Sequence, residues 1–308
     1  MKIITKNNAQ FFLLLNAIFW GSSYIWSKML LNFLPAFSIL FICAALGLAA
    51  TFLFFRRQLG NFSRKIILIS TLISFVSVIS NTFCMLALKR TSGSNTAFIV
   101  QLSIVITPVI MAILEKKRPS LRTVLLALSA LLGIYLITCA GKGFNINLGD
   151  IFALCNAVFF SLFIALQNKF SQVVNPVQFT FIQHLTNLGA FFVLSLIFES
   201  GGIIYSNMLS PVFVLLICLN AMVTIFTALF QSSAIKYVRP ESATVLYAFE
   251  PVTTAILGAT LLGEHFSGIA SVAGCILILL TVIVSSVRLS RFSSRRLRLN
   301  TSSDIKGL

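Results

Sequence analysis

Glu250 is an acidic side chain near the middle of a long apolar stretch, with Tyr247 and Thr254 at i−3 and i+4 on the same helical face. A carboxyl at that depth is costly in hydrocarbon unless it is neutral, hydrogen-bonded or functional. Two chemistries are therefore open: Glu250 exchanges a proton, or it is a fixed bond that ties its helix to the neighbours. Pro251 beside it has no N–H, which would free the carbonyl of Tyr247 to bond a ligand or water.

A second set of polar groups recurs at helical spacing. Asn16, Trp20, Ser23 and Ser27 fall at i, i+4, i+7 and i+11 on one face, with Tyr24 on its edge, and Asn156, Phe160, Phe163 and Gln167 repeat the spacing. An aromatic and hydroxyl stripe suits a ligand with a flat part and a polar head; serines also let helices pack closely. His184, next to Gln183 and near Asn187, would relay a proton, contact a ligand, or make one interhelical bond. Asn81, Gln101 and Gln231 are mid-span polar residues that would line a cavity or bridge helices.

These groups do not add up to a catalytic set. The apolar segments hold no His-x-x-x-His and no aspartate pair, so an intramembrane enzyme has little to work with, and neither a metal nor a cofactor is expected. Charged rings or a repeated filter string, which a channel would need, are also absent. The cysteines Cys43, Cys84, Cys139, Cys155, Cys218 and Cys275 all lie in apolar segments and read as small core residues.

The elements that position these residues follow from composition. Apolar residues make up 58% of 308 positions and only 10% are charged, more than one soluble core requires. They fall into blocks of the length that crosses a bilayer as a helix. Spans are expected near 11–30, 36–55, 66–88, 94–114, 121–140, 149–169, 177–198, 211–235, 241–262 and 266–288. The first block runs on for a full span, so it is expected to be retained as a helix.

The net charge of +16 raises nucleic acid as a partner, but the distribution of charge argues for a membrane instead. With the amino terminus in the cytoplasm, one side collects Lys2, Lys6, Arg56, Arg57, Arg64, Lys65, Lys116, Lys117, Arg118, Arg122, Lys169, Lys236, Arg239 and six residues of the tail after 287. The other side holds Lys28, Lys89, Arg90 and Lys142. That is the positive-inside pattern, with both termini cytoplasmic and an even number of spans. The arginine-rich tail from Arg288 is expected to contact anionic lipid rather than nucleic acid.

The chain also repeats itself. Asn16-Ala-Ile-Phe-Trp20 returns 140 residues later as Asn156-Ala-Val-Phe-Phe160. At an offset of 147, Ala87-Leu-Lys89 matches Ala234-Ile-Lys236, and Thr107, Ala112, Leu114 and Ser120 match Thr254, Ala259, Leu261 and Ser267. Five helices per half is odd, so the second half would enter the membrane inverted.

The sequence resembles the drug/metabolite transporter superfamily in its ten-helix EamA branch. The residues that carry the resemblance are Trp20-Gly-Ser-Ser-Tyr24 with Lys28, Thr107-Pro108 with Lys116-Lys-Arg-Pro119, and Phe249-Glu-Pro251 with Leu262-Gly-Glu264, over roughly 11–288. Lys117 departs from the pattern, standing where the second half has Glu264. The resemblance implies an all-α integral membrane protein of ten helices in two inverted five-helix repeats, 1–145 and 146–288, followed by the tail 289–308. It further implies a central cavity built from helices one to four and six to nine. The expected activity is export of amino acids or related small metabolites by alternating access at a bacterial inner membrane; a nucleotide-sugar, nucleoside or drug exchanger is the alternative. A proton taken up by Glu250 would couple to substrate exit. Substrate contacts are expected from Asn16, Trp20, Ser23, Tyr24, Asn81, Gln101, Asn156, Phe160, His184, Gln231, Tyr247 and Glu250, in a monomer or homodimer surrounded by membrane lipid.

Overall fold

In an apolar solvent each backbone group must bond within its own segment, and every described element is a helix. The computed structural model describes residues 4–116, 118–138, 147–199, 210–263, 269–270 and 272–284. In order they form α1 (Ala9–Leu30), α2 (Ala36–Leu59), α3 (Arg64–Arg90), α4 (Gly93–Val100), α5 (Ser103–Glu115), α6 (Leu121–Thr138), α7 (Leu148–Phe170), α8 (Pro176–Phe198), α9 (Pro211–Ala234), α10 (Pro240–Tyr247), α11 (Glu250–Leu261) and α12 (Val272–Val284). Glu264, Lys117, Cys139, Lys142 and the basic tail lie outside the described residues.

Local chemistry starts the helices. Ser63 and Ser210 accept hydrogen bonds from the amides of Ile66 and Phe213. Asn147 and Asp150 form a reciprocal capping box at the start of α7. Pro176, Pro211 and Pro240 occupy first helical positions, where a missing N–H costs nothing.

Two expected spans are each broken in the middle. The segment 94–114 divides into α4 and α5 at residues 101–102, and 241–262 divides into α10 and α11 at 248–249. At the first break Leu102, Ile104 and Val105 donate to carbonyls three residues back, which tightens the turn. At the second, Pro251 lacks a donor and its ring cannot pass the carbonyl four residues earlier. The two short helices α4 and α10 are related residue for residue by the offset of 147, so the interruption recurs at equivalent positions.

Among the described residues, seven helices are long and apolar enough to cross a membrane, with α4 and α5 counted as one and α10 and α11 as another. α1 has the length, but Asn16, its serines and Lys28 lower its mean hydropathy. Leu121–Leu136 and Val272–Val284 are apolar but shorter. The inside-out distribution fits lipid: Phe54, Ile113 and Leu121 are more than 70% exposed, whereas Asn16, Gln101, Gln231, His184 and Glu250 are buried. In water this arrangement would forfeit burial of the apolar side chains.

Packing pairs helices from the two halves: α1 with α9, α3 with α7, and α2 with α8. α1 also packs on α10 and α11, as α7 does on α4 and α5. α6 and α12 meet each other at Gly133, where a Cβ would come 2.7 Å from Ile278 Cγ1 and 3.0 Å from the carbonyl of Gly274.

Side chains pin helix ends to partner helices. Lys28 Nζ donates to the carbonyls of Leu88 (2.5 Å) and Thr91 (2.8 Å) at the end of α3. Asn168 Nδ2 donates to those of Ile235 (2.6 Å) and Val238 (3.1 Å) at the end of α9. Lys28 and Asn168 are 140 residues apart, and their acceptors are 147 apart. At α2, Glu199 accepts from the amides of Phe37 (2.7 Å) and Ser38 (2.9 Å), placing a carboxylate on a helix N-terminus. Gln178 bonds the carbonyls of Leu59 and Asn61 at the opposite end of the same helix.

Candidate functional site

Six helices converge on one cavity of about 150 Å³, and all but α2 turn polar side chains toward it. α1 contributes Trp20, Ser23, Tyr24 and Ser27; α2 contributes Leu40, Cys43 and Ala44; α3 contributes Ser77, Ser80, Asn81 and Cys84. From the second half come Phe160, Phe163 and Gln167 of α7, Gln183, His184, Asn187 and Phe191 of α8, and Asn220, Thr224, Thr227 and Gln231 of α9. The spacing of four, three and four residues that marks α1 recurs in α7 and in α9, so one face of each helix turns inward.

The floor is aromatic. Trp20 and Phe160, which occupy equivalent places 140 residues apart, meet edge to face with ring centroids 4.9 Å apart. Tyr247 stands behind them, 5.3 Å from Trp20 and 6.1 Å from Phe160. Its hydroxyl joins a buried chain in which Asn16 Nδ2 donates to Tyr247 Oη (3.3 Å), Tyr247 Oη to Gln231 Oε1 (3.2 Å), and Gln231 Nε2 to Gln167 Oε1 (2.6 Å). The chain ends in the cavity wall, so it fixes the two glutamines that a ligand would meet.

Glu250 lies behind the wall. Tyr24, which lines the cavity, donates to Glu250 Oε2 at 3.5 Å, and Gln101 flanks the same carboxyl from the break between α4 and α5. Glu250 Oε1 has no hydrogen-bond partner among the described residues. Close backbone approach brings the group here. A Cβ on Gly21 would sit 2.5 Å from the carbonyl oxygen of Glu250, and Thr254 donates to the carbonyl of Gly21 at 2.8 Å. Only glycine lets α1 cross α11 this tightly.

Four polar atoms on α8 are unmet among the described residues. Both ring nitrogens of His184, Gln183 Oε1 and Asn187 Oδ1 are buried without partners among the described residues. The ring of His184 rests on Gly47, where a Cβ would be 2.7 Å from Cε1 and Nδ1. Gln183 Nε2 and Asn81 Nδ2 share Ser77 Oγ at 3.2 and 3.3 Å. Asn220 Nδ2 donates to Ser27 Oγ at 2.8 Å.

Comparison with known proteins agrees with this arrangement. The sequence matches the EamA-like transporter family twice, at residues 7–139 and 147–287. The chain belongs to the EamA-like transporter family. It is 28% identical over 279 residues to a protein of Archaeoglobus fulgidus described as an uncharacterized transporter, covering 90% of this chain and 85% of that one. A solved crystal structure of 17% identity superposes with a TM-score of 0.72 over 92% of this chain and 99% of the other, a likeness of fold. The protein is thus a multi-pass membrane protein of a transport family.

Within this EamA-like fold, the expected contacts divide. Trp20, Ser23, Tyr24, Asn81, Phe160, His184 and Gln231 line the cavity. Asn16, Tyr247, Glu250, Gln101 and Asn156 stand one layer back, and Asn156 Nδ2 is held by the carbonyl (2.6 Å) and hydroxyl (3.0 Å) of Ser80. The implied cavity of helices one to four and six to nine narrows to α1–α3 and α7–α9, since the broken spans back the wall instead of forming it. Lys28, on the same helix as Trp20 and Ser23, donates to carbonyls at the end of α3. Ser77, Ser80, Asn220, Thr224 and Thr227 were not singled out by the sequence reading, although Asn220, Thr224, Thr227 and Gln231 carry the same helical spacing as α1.

Proposed function

We propose that this protein is a secondary transporter that exports small metabolites of amino-acid size by alternating access, with ten spans arranged as two inverted five-helix repeats. The observation that carries this reading is the exchange relationship between halves. Swapping α1–α3 for α7–α9, α4 for α10 and α5 for α11 turns the packing pairs α1·α9, α1·α11, α1·α10 and α2·α9 into α7·α3, α7·α5, α7·α4 and α8·α3, all of which exist. Two similar halves around one cavity can trade conformations, and each trade opens the cavity to the other side. The edge-to-face contact of Trp20 with its repeat mate Phe160 supports an axis passing through the cavity floor.

Glu250 is proposed to carry a coupling proton, with Tyr24 between it and the substrate. The scarcity of positive charge argues against the nucleotide-sugar alternative, because the described lining residues include no lysine or arginine for a phosphate. The charge distribution favours both termini in the cytoplasm of a bacterial cell, with the protein in its inner membrane.

The test needs no substrate. Cys84 lines the cavity, so a variant keeping Cys84 and carrying alanine at the other five cysteines can be labelled in sealed membranes with an impermeant maleimide. Alternating access expects Cys84 to react when the reagent is applied from either side, in mutually exclusive populations. Labelling from one side only, at every pH and temperature tried, would overturn the proposal.

A further inference from the structure

Resting on the reading of the cavity as the substrate site, we infer that it selects an uncharged, planar molecule of about one aromatic ring whose polar head both donates and accepts hydrogen bonds. The described residues that line the cavity include no lysine, arginine, aspartate or glutamate. Lys28 is engaged on the carbonyls of Leu88 and Thr91, and the Glu250 carboxyl lies behind Tyr24. A charged ligand held there would lose its hydration without gaining an opposite charge, which is among the costliest things a buried site can do.

The hydrogen-bond inventory gives the ligand its polarity. Gln183 Oε1 and Asn187 Oδ1 are acceptors without partners among the described residues, and His184 offers one donor and one acceptor when its imidazole is neutral. The side-chain amides of Asn81, Gln167, Gln183, Asn187 and Asn220 also line the cavity, and each both donates and accepts, so they suit a neutral head that does the same. Gln183, His184 and Asn187 lie on one stretch of α8 and line the cavity, with the ring edge of His184 turned onto Gly47 of α2. Buried polar atoms of this kind are seldom left unmet without a functional reason.

Shape comes from the aromatic floor and the volume. Trp20 and Phe160 present an edge-to-face pair against which a flat ring stacks. A cavity of about 150 Å³ holds a molecule the size of benzene. A primary aromatic carboxamide combines these features, having a ring, no charge and two N–H donors.

The test uses near-isosteric probes on the purified full-length protein in detergent, reading the rise of Tm with ligand concentration. Benzamide is expected to stabilise the protein. Benzoate and benzamidine, which carry negative and positive charge, are expected to need at least about tenfold higher concentration for the same shift. Acetophenone, which replaces the amide nitrogen by a methyl group, is expected to be weaker by about tenfold. The benzamide shift is expected to vanish in Trp20→Ala and to weaken in Asn187→Leu. Equal stabilisation by any charged probe or by acetophenone, a benzamide shift unchanged in both variants, or no shift with any probe would overturn this inference. The labelling of Cys84 from both sides reads alternating access independently, so failure of the ligand class is distinguishable from failure of the transport reading.

Discussion

Tyr24 faces the cavity and donates its hydroxyl to Glu250 Oε2 at 3.5 Å, so one side chain connects the buried carboxyl to the cavity. A ligand that displaces the ring of Tyr24 changes what Glu250 is bonded to. Conversely, adding or removing a proton at Glu250 changes the hold on Tyr24.

The first prediction follows from this bond. The fraction of Cys84 open to one side should shift between acidic and alkaline medium in the otherwise native protein. Glutamine mimics the protonated, neutral carboxyl, so Glu250→Gln should stay near the acidic value at every pH. A Glu250→Gln protein that still follows pH would remove Glu250 from the coupling role.

Helix crossings give a graded prediction for glycine. Gly21→Ala forces a methyl group against the carbonyl of Glu250 and Thr253 Cβ, the latter at 2.7 Å, and should cost about 1–3 kcal/mol. Gly189 has nothing within 4 Å of the position a Cβ would take, so Gly189→Ala should be neutral or stabilise by up to ~1 kcal/mol. Melting curves in detergent compare the two.

The buried chain of Asn16, Tyr247, Gln231 and Gln167 should behave as a unit. Gln231→Leu leaves the Tyr247 hydroxyl and the Gln167 carbonyl oxygen without their partner and should destabilise by about 1–3 kcal/mol. Adding Gln167→Leu should cost less than the sum of the single changes. Strict additivity in a double-mutant cycle would show that the network carries no coupling.

At the end of α3, Lys28→Met removes a charged donor from two carbonyls and should cost about 1.5–3 kcal/mol. The same melting experiment on Asn168→Leu should give a smaller loss, since a neutral amide makes the equivalent contact.

Much of this was legible in the residues, for identifiable reasons. Period 3.6 placed Trp20 and Ser23 on one face of α1, with Tyr24 at its edge, and Phe160 on the matching face of α7; all four line the cavity. Repeat offsets of 140 and 147 anticipated which helix ends correspond, down to the equal bounds of α4 and α10. The interruption at 101–102 was hidden because apolar residues continue through it and no proline sits beside Gln101. Depth behind the wall was also hidden: Asn16 and Trp20 share a helical face, and only contact with Tyr247 from another helix draws Asn16 out of reach. Sequence spacing gives direction around one helix, whereas the distance to a cavity depends on how several helices cross.

Lys28 and Asn168 hold equivalent helix ends, but one bears a full positive charge and the other bears none. A motion that parted α1 from the end of α3 along the membrane normal would carry that charge through part of the electric field across the membrane. A full crossing would represent about 2.3 kcal/mol per 100 mV. Lys169 follows Asn168 in the last turn of α7, so charge travels with both helices; the difference is that in α1 the charged group is itself the latch, and parting it from α3 strips its carbonyl partners.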